Sequence, residues 1–230
     1  MTIAIIGTGN IGRRLASHLT EGGVDILLAG RELDETCSQA LELGAYATAV
    51  TVDEAVERAE ILILAVWFDT IRELVATYGD RLRGKIIVDP SNPIAPDGQG
   101  GFVKTIGADE SSGQLLAALL PAGTRLVKAF GTLSAESLDT AAHRTPELAV
   151  AFYATDDEAA GKVVAQLISA AGFDPVHAGG IDASIRLEVF GDLHEFGALG
   201  RTVNRAEAEA ALTTSVSMDP PARLNAADRP

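Results

Sequence analysis

The chain has 230 residues, 47% of them hydrophobic, and a formal net charge of −14. This length supports one large domain, or one domain with a small appendage, and the scarcity of aromatics (5%) leaves small aliphatic side chains to fill the core. The acidity excludes a nucleic-acid partner, which would be repelled, and the single cysteine, Cys37, excludes an intrachain disulfide and suits a reducing cytoplasm.

Ile3 to Ile6 reads as a buried parallel strand, starting too near Met1 to leave room for a signal peptide. Gly7-Thr8-Gly9-Asn10-Ile11-Gly12 follows at once, and Ile11, Leu15 and Leu19 then repeat at helical spacing up to Gly22-Gly23. A second strand covers Ile26 to Leu28. The unit is a βαβ motif whose first turn suits a pyrophosphate: the glycines allow a tight turn and close approach, and the helix start offers free N–H groups. At the end of the second strand stand Gly30 and Arg31, where an NAD-specific protein places a carboxylate. A guanidinium beside a small residue points to the 2′-phosphate of NADP(H). Two alternatives remain: Glu32 turning inward, or Arg31 as a solvated surface charge.

Glu32 to Leu43 reads as a helix, with Cys37 on its apolar side, and a short strand lies near Tyr46 to Ala49. Thr51 and Glu54 form a capping box before a short helix, and Ile61 to Val66 is a fully apolar strand. Asp69 caps the next helix. Lys85 to Val88 is the fifth strand, residues 98–101 lie in a long flexible loop, Leu115 to Leu120 form a helix halted by Pro121, and Arg125 to Phe130 is the sixth strand. Leu148 to Tyr153, Asp156 to Ala171 and Phe173 to Val176 read as strand, helix and strand, and residues 181–212 as helical. Residues 213–230 form a polar tail with three prolines. No apolar run is long enough to cross a bilayer.

This alternation predicts an α/β fold of Rossmann type, doubly wound around a mainly parallel sheet, with a small C-terminal helical part. The expected division is a dinucleotide-binding domain over residues 1–145, a strand-helix part closing the substrate cavity over 146–212, and the tail. Ligands of such sheets sit beyond the carboxyl ends of the strands. Four segments should meet there: Gly7 to Gly12, Trp67-Phe68, Asp89 to Pro93, and Phe130 to Thr132. Trp67 either walls the nicotinamide or caps the core. Ser91-Asn92-Pro93 offers polar contacts or is only a turn, and Lys128, inside an apolar strand, needs a partner or a ligand. Nothing forms a nucleophile triad or a metal site.

Up to about His194 the chain resembles the coenzyme F420-dependent NADP oxidoreductases. The resemblance rests on Gly7 to Gly12, Gly30-Arg31, Ala65-Val66-Trp67, Ser111 to Ser137 with Val127-Lys128-Ala129-Phe130-Gly131-Thr132, and Gly172 to Gly180. It implies hydride transfer between NADP(H) and a 5-deazaflavin, coenzyme F420. Gly7, Thr8, Gly9, Asn10, Ile11 and Gly12 would bind the pyrophosphate and Arg31 the 2′-phosphate, while Trp67, Asn92, Pro93 and Phe130 would bound the cavity. It also implies a homodimer formed through the C-terminal helices.

The C-terminal segment departs from that pattern. Glu188, Asp192, His194 and Glu195 stand where the family is mostly apolar, and Asp192 and Glu195, at i and i+3, would share a helix face. Carboxylates beside a cleft repel an anionic coenzyme. Asp192 or His194 would then be a proton donor to a small carbonyl, imine or flavin substrate; the bland alternative is a solvated helix face. A non-catalytic NADP(H) sensor is the third reading.

Overall fold

A computed structural model describes residues 1–99 and 101–214. In chain order the sheet-building elements open with β1 (Ile3–Ile6), α1 (Asn10–Glu21), β2 (Ile26–Ala29), α2 (Leu33–Leu43), β3 (Ala47–Val50), α3 (Val52–Arg58), β4 (Ile61–Leu64), α4 (Phe68–Tyr78) and β5 (Ile86–Asp89). A hairpin of β6 (Ile94–Pro96) and β7 (Phe102–Lys104) precedes α5 (Ser112–Leu119), β8 (Arg125–Ala129), α6 (Ala135–Ala141), β9 (Val150–Ala154), α7 (Glu158–Ala170) and β10 (Asp174–His177). The chain continues through a 3-10 turn at Ile181–Ala183 into α8 (Ser184–Leu187) and finally α9 (Arg205–Thr213).

The strand order is β10-β9-β8-β5-β4-β1-β2-β3. All neighbours are parallel except β8 and β9. Strand alternation divides the core between the two faces of the sheet. Ile3, Ile5, Ile61 and Ile63 pack with Leu15 and Leu19 of α1 and Val164 and Ile168 of α7. Ala4, Ile6, Leu62 and Leu64 pack with Val56, Ile71, Val75 and Leu116 of the helices on the other face. Burial on both faces is why these strands appear in the sequence as unbroken apolar runs. Chain order reverses between β1 and β4, so the crevice opens at their carboxyl ends, the usual ligand position in a doubly wound sheet.

Several local expectations need correction. Trp67, not Asp69, holds the N-cap position of α4; Asp69 lies in the first turn, where it favours the helix dipole. The loop around residues 98–101 contains the β6–β7 hairpin, closed by Asp97 Oδ1 accepting from the N–H groups of Gln99 (2.8 Å) and Gly101 (2.9 Å). Cys37 is exposed; Thr36 and Ala40 are the buried residues of α2. After β8 the pattern does not continue in parallel. Seven-residue α6 follows β8, and β9 pairs with β8 antiparallel.

Residues 181–212 are not one helix. Gly191 packs so closely that an added Cβ would lie 2.3 Å from the Arg186 carbonyl oxygen, and Phe190 and Gly200 adopt φ of 76° and 65°. The chain therefore turns repeatedly before Asn204 and Glu207 form a capping box that starts α9. Of the expected tail, residues 215–230 lie outside the described residues. Among the described residues no helix is long and apolar enough to cross a membrane.

Candidate functional site

The β1–α1 turn has the geometry that the glycine spacing demands. Gly7 has φ of 113°, and a Cβ on it would lie 2.2 Å from the Ala65 carbonyl oxygen. On Gly12 a Cβ would lie 1.9 Å from the Gly7 carbonyl oxygen, so only glycine lets α1 pack on the turn. Around Gly9, by contrast, a Cβ meets nothing within 4 Å. Gly9 is also the N-cap of α1, with no side-chain cap and no acidic residue in the first turn. Tight packing at the outer glycines and open space over exposed N–H groups fit a pyrophosphate. Asn10 Oδ1 is already an acceptor for Arg14, which also donates to Asp139 Oδ2 at 2.7 Å and so ties α1 to α6. Ile11 is half-buried against the core.

The end of β2 leaves no room for a carboxylate. A Cβ on Gly30 would lie 2.6 Å from Thr36 Oγ1 and 2.8 Å from Thr8 Oγ1. Arg31 is exposed beside it, and its side chain has no hydrogen bond or ion pair among the described residues. Glu32 is exposed at the N-cap of α2 without capping it. A small residue and a free guanidinium suit a 2′-phosphate.

Beyond β4, Trp67 is 58% exposed. Beyond β5 and β8, Pro93 and Phe130 are buried, and Phe130 has φ of 64°. Asn92 is engaged on both sides of its amide: Nδ2 donates to the Gly131 carbonyl (3.0 Å) and Oδ1 accepts from the Val189 N–H (2.7 Å). It joins the exits of β5 and β8 to the C-terminal segment.

Below these exits lies a buried ionic network missed in the sequence. Register places Asp89 opposite Lys128. Lys128, 1% exposed, donates to Asp89 Oδ2 (2.7 Å), the Ser91 carbonyl (2.5 Å) and Ser112 Oγ (2.9 Å). Glu188, also 1% exposed, accepts through Oε1 from Ser111 Oγ (3.0 Å), Ser112 Oγ (2.9 Å) and the Gly113 N–H (3.1 Å). The sequence signals were a lysine and an aspartate in apolar strands and a Ser-Ser-Gly helix start. Their pairing was not visible.

The other C-terminal polar groups are similarly spent. Asp192 accepts a bidentate pair from Arg186, with Nη2 to Oδ2 at 2.7 Å. Glu195 accepts from the Ser134 N–H and from Ser137 Oγ (2.6 Å), holding the start of α6. All three carboxylates are buried, so neither a solvated helix face nor a carboxylate-lined cleft describes them. His194 is buried too. Its Nδ1 accepts from the Phe196 N–H at 2.9 Å. Burial lowers its pKa to about 3, with Lys128 adding to the effect and a hydrogen bond to the Gly131 backbone opposing it. In this arrangement Asp192 is paired with Arg186, and His194 Nδ1 is engaged by the Phe196 N–H.

A testable pH dependence follows. The folded state resists protonating His194, whereas the unfolded chain takes a proton near the ordinary value of 6.5. Its contribution is therefore complete above about pH 6.5 and declines as pH falls toward 3, with roughly 2 kcal/mol lost by pH 5. Denaturant titrations between pH 7.5 and 4.5 should show this slope in the wild type and a shallower one in His194→Gln.

Fold and turn together define a doubly wound dinucleotide-binding protein. Residues 2–93 match the family described as NADP oxidoreductase, coenzyme F420-dependent. It is 30% identical over 148 residues to an F420-dependent NADP reductase from Methanothermobacter marburgensis, covering 60% of this chain and 66% of the relative. It is also 30% identical over 186 residues to the rat (Rattus norvegicus) metalloreductase STEAP3, covering 81% of this chain and 35% of the relative. The chain thus spans about a third and just under two thirds of the length of these curated relatives. The crystal structure of a hypothetical protein from Sinorhizobium meliloti superposes with a TM-score of 0.78 at 30% identity, covering 89% of this chain and 96% of that one.

Proposed function

We propose that this chain is a cytoplasmic NADP(H)-dependent oxidoreductase that passes a hydride between NADPH and coenzyme F420. The observation that carries the cofactor half is the open space over Gly9, between two glycines whose Cβ positions are filled, next to an exposed Arg31 without a side-chain partner among the described residues. Gly7, Gly9 and Gly12 would seat the pyrophosphate on α1, with Thr8, Asn10 and Ile11 shaping the turn, and Arg31 would pair with the 2′-phosphate. When bound, NADPH supplies two electrons and a proton together as hydride, and an acceptor ring that also needs a proton takes it from water.

The acceptor half is supported by what the crevice lacks. A carbonyl or imine reductase needs a proton donor at the substrate, and Asp192 and His194 are committed elsewhere. Hydride transfer between flat rings needs the two rings aligned, and the proton that completes reduction of a conjugated ring can follow from solvent without a side-chain donor at the reacting carbon. Trp67, Pro93 and Phe130 would supply apolar walls, while Asn92 would fix the spacing between them. A second copy of the chain, packed through the C-terminal segment, would complete the acceptor side.

The test is direct. Protein, NADPH and oxidised F420 are mixed and both chromophores followed by absorbance. Matched loss of the two bands is expected; tight NADPH binding with no transfer would leave the sensor reading in its place.

A further inference from the structure

A cavity of about 380 Å³ opens at the amino end of β8, where α5 ends, and falls in the size range of small-molecule sites. Its walls are the turn over residues 120–124, the start of β8, the residues just before α7, and Ile181 at the 3-10 turn. Along five-residue β8, at about 3.3 Å per residue, Arg125 at this cavity lies roughly 16 Å from Phe130 at the crevice end. None of the residues assigned above to NADP(H) lines it.

The lining carries opposite charges that do not meet. Arg125 and Asp157 are half-buried, and Asp156 is exposed. Arg125 Nη2 donates to the Gly84 carbonyl at 2.7 Å. Asp156 Oδ1 accepts from the Ile181 N–H (3.0 Å) and Asp157 Oδ1 from the Ala160 N–H (2.8 Å). A Cβ at Gly180 would fall 2.5 Å from Asp156 Oδ1, so this carboxylate is held against the following turn. Among the described residues no ion pair joins Arg125 to either aspartate; main-chain tethers hold the three groups instead. Each aspartate keeps its second oxygen for another donor, and Arg125 keeps further N–H groups for an acceptor. Leu120, Leu126 and Ile181, which pack on the apolar core of that sheet face, give the cavity an apolar side.

This pattern selects a ligand class. Among the described residues no group of three His, Cys, Asp or Glu side chains could hold a metal ion, so the paired aspartates suit an ammonium. A simple anion would meet two carboxylates, and a simple cation a guanidinium. A zwitterion satisfies both signs. We propose that this cavity binds a small aliphatic α-amino acid: its carboxylate pairs with Arg125, its ammonium with Asp156 and Asp157, and its side chain lies against Leu120, Leu126 and Ile181. The site shares no residue with the crevice and stands apart from the hydride-transfer reading.

Calorimetric titration of the full chain with L-leucine tests this. The controls are 4-methylpentanoate, which lacks the ammonium, and isoamylamine, which lacks the carboxylate. Leucine should bind at millimolar concentration or below, and each control at least tenfold more weakly. Arg125→Gln should weaken leucine at least tenfold. The double variant Asp156→Asn/Asp157→Asn should do the same, since asparagine keeps both main-chain hydrogen bonds, including the α7 cap, and removes only the charge. Thermal melts establish that each variant is folded; if one is not, the two controls on the wild type decide alone. No leucine binding to the wild type, a control that binds as well as leucine, or a loss of less than tenfold in either folded variant overturns the proposal.

Discussion

Lys128→Met is expected to destabilise the fold by about 3–5 kcal/mol, because it strands a buried Asp89 carboxylate, 0% exposed, without its cation. The effect exceeds that of a lost surface pair, since water cannot re-solvate Asp89 in place. Glu188 suffers indirectly, because the Ser112 hydroxyl that donates to it also accepts from Lys128. The double variant Lys128→Met/Asp89→Asn should recover part of the loss: an asparagine removes the stranded charge and can still accept from the Ser91 N–H that Asp89 Oδ1 accepts at 2.8 Å. Urea midpoints at fixed pH measure both. A single variant within about 0.5 kcal/mol of the wild type would show that the network is not a structural element.

Gly12→Ala should cost about 3 kcal/mol and abolish NADPH binding together, since its Cβ would overlap the Gly7 carbonyl and push α1 off the turn. Gly9→Ala is the informative contrast. Its Cβ meets no protein atom and its φ of −80° suits alanine, so stability should change by less than about 1 kcal/mol. The added methyl nevertheless occupies the space over the N–H groups, and NADPH affinity should fall at least tenfold. Thermal melts and NADPH fluorescence titrations separate the two effects. A Gly9→Ala protein with wild-type NADPH affinity would place the pyrophosphate elsewhere.

These variants also mark where the sequence was readable. The doubly wound sheet was legible because Ile3–Ile6 and Ile61–Leu64 are buried on both faces and carry no polar interruption. The Thr51–Glu54 capping box and the glycine turn were legible because their interactions span only a few residues. The C-terminal segment was misread because Glu188, Asp192 and Glu195 sit at helix-like spacing, whereas their partners are fixed by tertiary structure. Gly113, which donates to Glu188, is 75 residues away in the chain. Short α6 went unnoticed because only Leu138 and small alanines of its seven residues face the core. Cys37 was assigned to packing from its place on the helix, but Thr36 and Ala40 supply the face that α2 buries.

A titration of NADPH and NADH against the wild type and Arg31→Ala tests the cofactor assignment, on which the rest of the account depends. The wild type should bind NADPH more tightly, and the variant should lose roughly 10- to 100-fold in NADPH affinity while NADH binding barely changes. Equal losses for the two nucleotides, or a wild type that prefers NADH, would contradict a 2′-phosphate site at Arg31.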